Sequence, residues 1–176
     1  MKNKMKNLSK MFFGLLMALV VFTTGAQAAH AAVSIYAQDG GYYTAYGPGQ
    51  YWYSVSNEGY CYDSGTCSPT TMKYTWSGCS LSNYAVWTNG NGPNGWATHD
   101  AYIPGTNATN TAAPYLLSYN SGSQFHFSIN QNSYYDAWVR TDPSDPWWYN
   151  IGNVWLDDNP CNGTSKIGFD EQKIAD

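Results

Sequence analysis

Three groups of residues have the chemistry to serve a site. "THDAY", residues 98–102, sets His99 beside Asp100, a base next to a group that could orient it. "LDDN", residues 156–159, gathers Asp157, Asp158 and Asn159, oxygen-bearing side chains of the kind calcium prefers. The third group is the rings: 17% of the chain is Phe, Trp or Tyr, and "DPWWYNIGN", residues 145–153, places Trp147, Trp148 and Tyr149 in a row. An aromatic face accepts the C–H surface of a sugar, while Asn, Gln and Asp take its hydroxyls.

Each group also has a plainer reading. Neighbouring residues of a strand point to opposite faces, so His99 and Asp100 are not expected to work as base and orienter. His126 has no such neighbour, and no Gly-x-Ser-x-Gly is present, so both histidines read as polar residues of a sheet face. The spacing in "LDDN" fits no EF-hand loop; a structural calcium ion at Asp157, Asp158 and Asn159, with Asp39 helping, is the one cofactor the motifs admit. A glycosidase needs two carboxyls facing each other about 5 to 10 Å apart. Asp136 with Asp142, or Asp157 with Asp170, would be candidates, but nothing selects them, and the acids read more simply as a solubilising surface. No enzyme is expected on this basis.

The elements that must position these groups are short strands. Gly, Pro, Asn and Ser recur every several residues, with Tyr, Trp, Val, Ile and Thr clustered between them. Strands are expected at 34–37, 51–56, 72–76, 83–88, 96–103, 115–119, 124–130, 137–140, 147–149, 153–156 and 166–174. "NGNGPNG", 89–95, and "NSGS", 120–123, read as reversals. In "QFHFSI" the odd positions Phe125, Phe127 and Ile129 share a face, with His126 and Ser128 opposite. In "NVWLD" Val154 and Leu156 pair off, with Trp155 opposite. The fold expected is all-β, a single sandwich of jelly-roll or immunoglobulin-like type.

Residues 1–31 read as a secretory signal peptide: four lysines in "MKNKMKNLSK", the apolar "MFFGLLMALVVF", then "AQA" and "AHA". The apolar run is shorter than the roughly 20 residues that span a bilayer. The sandwich would occupy 32–176, in a secreted, extracellular protein with no membrane insertion. That part keeps Lys73, Arg140, Lys166 and Lys173 against twelve carboxylates, a formal charge of −8, which argues against nucleic acid as a partner. Cys61, Cys67, Cys79 and Cys161 all fall in it, an even number in an oxidising compartment. Of the three possible pairings, Cys61 with Cys67 and Cys79 with Cys161 is the one expected.

From about Tyr84 onward the order of motifs resembles the golvesin and xanthan-lyase C-terminal-like domain. The matching segments are "AVW" (85–87), "AYIPGTNATNTAAPYLL" (101–117), "INQNSYYDAWV" (129–139), "GNVWLDDN" (152–159) and "KIGFDEQKI" (166–174). The resemblance implies a non-catalytic sandwich commonly appended to secreted enzymes, with polysaccharide or cell wall as ligand. Three features depart from the pattern: the four cysteines, "RTDPSDP" in place of Leu-Gly after Trp-Val, and Glu171-Gln172 where a small apolar pair is usual.

Family position places Trp87 and Trp138 in the core. It also makes Trp147–Tyr149 a strand, whose alternation puts Trp147 and Tyr149 on the core side and Trp148 outside. The expected ligand-binding rings are Trp148, Trp155, Trp52, Trp96, Tyr134 and Tyr135. The leading expectation is a secreted module that binds carbohydrate or another cell-surface polymer. An extracellular glycan hydrolase using a carboxylate pair and a structural or matrix interaction protein are the alternatives.

Overall fold

A computed structural model describes residues 32–38, 40–60, 71–90 and 92–176. The segment 1–31, Asp39, Cys61 and Cys67 lie outside the described residues, and with them the expected leader, one disulfide and one calcium ligand.

Among the described residues thirteen strands follow one another: β1 (Val33–Tyr36), β2 (Tyr43–Tyr46), β3 (Tyr53–Ser56), β4 (Thr71–Trp76), β5 (Tyr84–Thr88), β6 (Trp96–Ile103), β7 (Ala113–Tyr119), β8 (Ser123–Ile129), β9 (Ala137–Arg140), β10 (Trp148–Tyr149), β11 (Asn153–Asp157), β12 (Lys166–Phe169) and β13 (Gln172–Ala175). The helical elements among the described residues are two short 3-10 turns, Gly49–Tyr51 and Gln131–Ser133. None of them is long and apolar enough to cross a membrane. All strand pairs are antiparallel, and the protein is an all-β sandwich.

One five-stranded sheet has the order β2-β5-β11-β7-β8; the other runs β1-β13-β6-β10, with β9 also paired to β6; β12-β4-β3 make a third. Alternation sorts each strand. Ala85, Trp87, Val154, Leu156, Tyr115 and Leu117 of the first sheet meet Ala97, Ala101, Ile103, Val139 and Ile174 of the second in one core. Phe169 of β12 closes it, 4.8 Å from the Trp52 ring and 6.4 Å from that of Trp87. With few Leu and Ile available, aromatic area supplies much of the burial, at about 25 cal/mol per Å².

Several local motifs have structural roles. "NSGS" makes the β7–β8 reversal with Asn120, Ser121 and Gly122 all at positive φ (43°, 59° and 126°), which short polar residues and glycine tolerate. Gln131, from "INQ", is fully buried and clamps Gly168 of β12: its Nε2 donates to the Gly168 carbonyl at 2.9 Å and its Oε1 accepts the Gly168 N–H at 3.0 Å. The Cys79–Cys161 disulfide forms as expected, and Cys161 N–H donates to Gly78 O beside it.

Most strand ends fall within a residue or two of expectation, and three departures have a structural reason. β2 is an added edge strand, its four residues too short and too closely flanked by glycine to be read from composition. The stretch 51–56 starts within a 3-10 turn, and β3 begins only at Tyr53. The stretch 166–174 is two strands, because Asp170 and Glu171 turn inward to accept the Tyr60 N–H and break the ladder.

Candidate functional site

The outer face of the β2-β5-β11-β7-β8 sheet is built by register. Thr44, Val86, Trp155, Leu116 and His126 lie side by side across its five strands. The next row of that face holds Tyr46, Tyr84 and Asp157. Tyr46 and Tyr84 stack flush, 4.6 Å apart and 9° from parallel. Leu81, Tyr84, Pro114, Leu116, Gln124, His126, Trp155 and Asp157 line an open hollow of about 380 Å³ over this face. Trp155 is half-buried in its floor and His126 is exposed at its wall, as parity expects for both.

The chemistry of the hollow is apolar with a few polar groups at its edge, the usual make-up of a small-molecule or sugar site. Burial holds the Asp157 carboxyl above its ordinary range; the Asn159 N–H it accepts at 3.0 Å opposes this, Asp158 adds to it and His126 opposes it. The five strands of this sheet contain no Lys or Arg.

The other expected rings do not join Trp155. Trp148 pairs in register with Ala97, which faces the core, so its indole packs inward against Phe125 and Tyr119. The alternation of Trp147, Trp148 and Tyr149 holds, but the faces are reversed: Trp147 and Tyr149 are the exposed pair. Trp52 also packs on the core, with Nε1 donating to Tyr46 O at 3.1 Å. Trp96 is exposed on the outer face of the opposite sheet, in register with Tyr149 and 5.5 Å from it. Tyr134 and Tyr135 are exposed beside the 105–109 loop, with Tyr135 close over Gly105. Trp87 is buried as expected, whereas Trp138 is only half-buried: it lies on the outer face of β9 under the Lys173 ammonium, 4.7 Å away.

The "LDDN" side chains diverge. Asp158 is buried, and its two oxygens accept Ser82 N–H and Asn83 N–H, both at 2.9 Å, which ties the segment before β5 to the end of β11. Asp157 turns to the aromatic hollow on the other side, and Asn159 is exposed. Among the described residues no group of three His, Cys, Asp or Glu side chains converges as a metal site.

His99 and Asp100 occupy opposite faces of β6. His99 is buried, with Nδ1 on the Thr141 hydroxyl and Nε2 at 3.0 Å from Gln172 Oε1, and burial lowers its pKa to about 4. It is therefore a core residue, where a sheet-face residue was expected. Asp100 lies between Arg140 of β9 and Lys173 of β13, its partners in register on either side. Elsewhere Asp170 and Glu171 form a buried carboxyl pair that holds the Tyr60 N–H, at 3.1 and 3.3 Å.

Tyr84, Leu116 and Gln124 of the hollow, and Tyr46 stacked beside it, are residues that sequence reasoning did not single out, while His126 was placed on this face but not read as a site residue. The available signal was parity: all belong to strands whose opposite parity is apolar, and they share a face with Trp155.

No known family model matches the chain. No curated protein sequence matches it. Among solved structures it is similar to part of a xanthan lyase from Paenibacillus, with a TM-score of 0.58 and 15% identity, over 82% of this chain and 13% of that one. At that identity the likeness is one of fold, and this chain spans about an eighth of the lyase's length.

Proposed function

We propose that this protein is a secreted, golvesin-like sandwich that binds carbohydrate or another cell-surface polymer, without transforming it, on the outer sheet face around Trp155. The observation that carries this reading is the Trp155 hollow, lined by the apolar Trp155, Tyr84, Leu81 and Leu116 together with the polar Gln124, His126 and Asp157. A pyranose lays its C–H face on such rings and its hydroxyls on such polar groups. Strand backbones fix these groups, so little ordering is left for binding to cost.

Further support comes from the fold shared with part of a protein described as a xanthan lyase, and from the Cys79–Cys161 disulfide, at home in an exported protein. Among the described residues Asp157 is the carboxylate that lines the hollow, which fits binding better than glycoside hydrolysis, a reaction that uses two carboxyls across a cleft. The test is retention of the folded protein on insoluble polysaccharides and cell walls, with reducing ends followed in the same tubes. Retention without new reducing ends supports the reading; no retention on any of them, or turnover, refutes it.

A further inference from the structure

The Trp155 face has an unusual charge pattern. Lys73, Arg140, Lys166 and Lys173 are the lysines and arginine of the described residues, and all four lie on the other two sheets. Arg140 and Lys173 bind Asp100. Lys166 donates to Asn107 Oδ1 at 2.6 Å and lies over the Tyr74 and Trp76 rings, while Lys73 donates to Ser54. Among the described residues the Asp157 carboxylate thus meets no lysine or arginine in its hollow, where it accepts the Asn159 N–H and has the His126 imidazole as its one basic neighbour.

Beside that carboxylate are the Trp155 and Tyr84 rings, Tyr84 being its partner in register and stacked on its far side by Tyr46. Both features favour a cation. An ammonium gains a charge-assisted hydrogen bond from a half-buried carboxylate and a further attraction from a ring quadrupole. A sulfated or uronic glycan would instead bring a second negative charge against Asp157. From this juxtaposition we infer that the Trp155 hollow selects polysaccharides bearing free amino groups, with Asp157 as the residue that sets the specificity. This rests on the glycan-binding reading and narrows its ligand to an amino-sugar polymer.

The test uses two glucosamine oligosaccharides of equal length, one with free amines and one fully N-acetylated, titrated calorimetrically at about pH 6, where the sugar amines carry protons and free carboxylates do not. The free-amine form is expected to bind about tenfold or more tightly, with the gap closing as salt rises. Asp157→Asn brings the two affinities together, and Asp157→Glu restores the preference; melting curves confirm that both variants are folded. Equal affinity of the wild type for the two forms, or an Asp157→Asn variant that keeps the preference, overturns the inference. If neither form binds while a neutral glucan does, this inference falls and the glycan-binding reading stands. If no glycan binds at all, both fall.

Discussion

The Trp148 and Phe125 rings lie 4.6 Å apart, centroid to centroid, and so join β10 of one five-stranded sheet to β8 of the other. Trp148 is therefore part of the packing between the sheets. Trp148→Ala should cost about 2 kcal/mol, below the value for a fully buried tryptophan because the ring is half-buried. Urea denaturation measures the loss, and glycan retention by the folded variant should equal that of the wild type. An unchanged midpoint would place the ring outside the core.

The pH response of stability follows from His99. Its pKa is lowered to about 4 from 6.5, chiefly by burial, so the unfolded chain takes up this proton before the folded one does. Stability is retained above the unfolded value and falls as pH drops from about 6.5 to about 4, by about 3 kcal/mol from this group. His99→Gln, which carries no titrating ring, should lose less stability over that interval. Denaturant midpoints at several pH values give the slope, and a slope identical to that of the wild type contradicts the assignment.

Asp170 acts with the opposite sign. Burial, and then the hydrogen bond and charge of Glu171, raise its pKa well above the ordinary carboxyl range. Its contribution is complete below the unfolded carboxyl pKa and is lost progressively as pH rises toward the folded value. Asp170→Asn imitates the protonated acid and can still accept the Tyr60 N–H. It should melt higher than the wild type at alkaline pH, with the advantage shrinking in acid; a lower melting temperature at alkaline pH would show that the carboxylate is needed charged.

The Cys79–Cys161 bond closes a separation of 82 residues. Constraining a loop of that length is worth about 4 kcal/mol in the chain-entropy model. The double variant Cys79→Ser, Cys161→Ser should lose stability of that order in urea. A loss well under 1 kcal/mol would mean that the Asp158 contacts to Ser82 and Asn83 hold the segment without it.

Fold class was legible because alternation is a local property. Phe125, Phe127 and Ile129 turn inward, and Trp155 turns out between Val154 and Leu156, as parity alone requires. Which of two faces meets the core is not local. Trp148 is inside because its register partner Ala97 is, and that pairing joins residues 51 positions apart. Trp138 is a similar case: its partner Tyr102 faces outward on β6, and family position carried no information about that register. Asp158 looked like a ligand because backbone N–H donors distant in sequence, at Ser82 and Asn83, leave no trace in the "LDDN" spacing. The site was legible only in part: Trp155 was singled out, but the neighbours that make its hollow came from three other strands and the loop at Leu81.

Affinity electrophoresis tests the Trp155 face most directly. Wild type, Trp155→Ala and Trp96→Ala are run through native gels containing soluble polysaccharides, among them chitosan, a neutral β-glucan and xanthan. The wild type should be retarded by at least one of them. Trp155→Ala should lose about tenfold or more in affinity, the worth of one stacked ring, and Trp96→Ala, on the opposite sheet, should migrate as the wild type does. Retardation of Trp155→Ala equal to that of the wild type, with retardation lost in Trp96→Ala, would move the binding site to the other face and contradict the account.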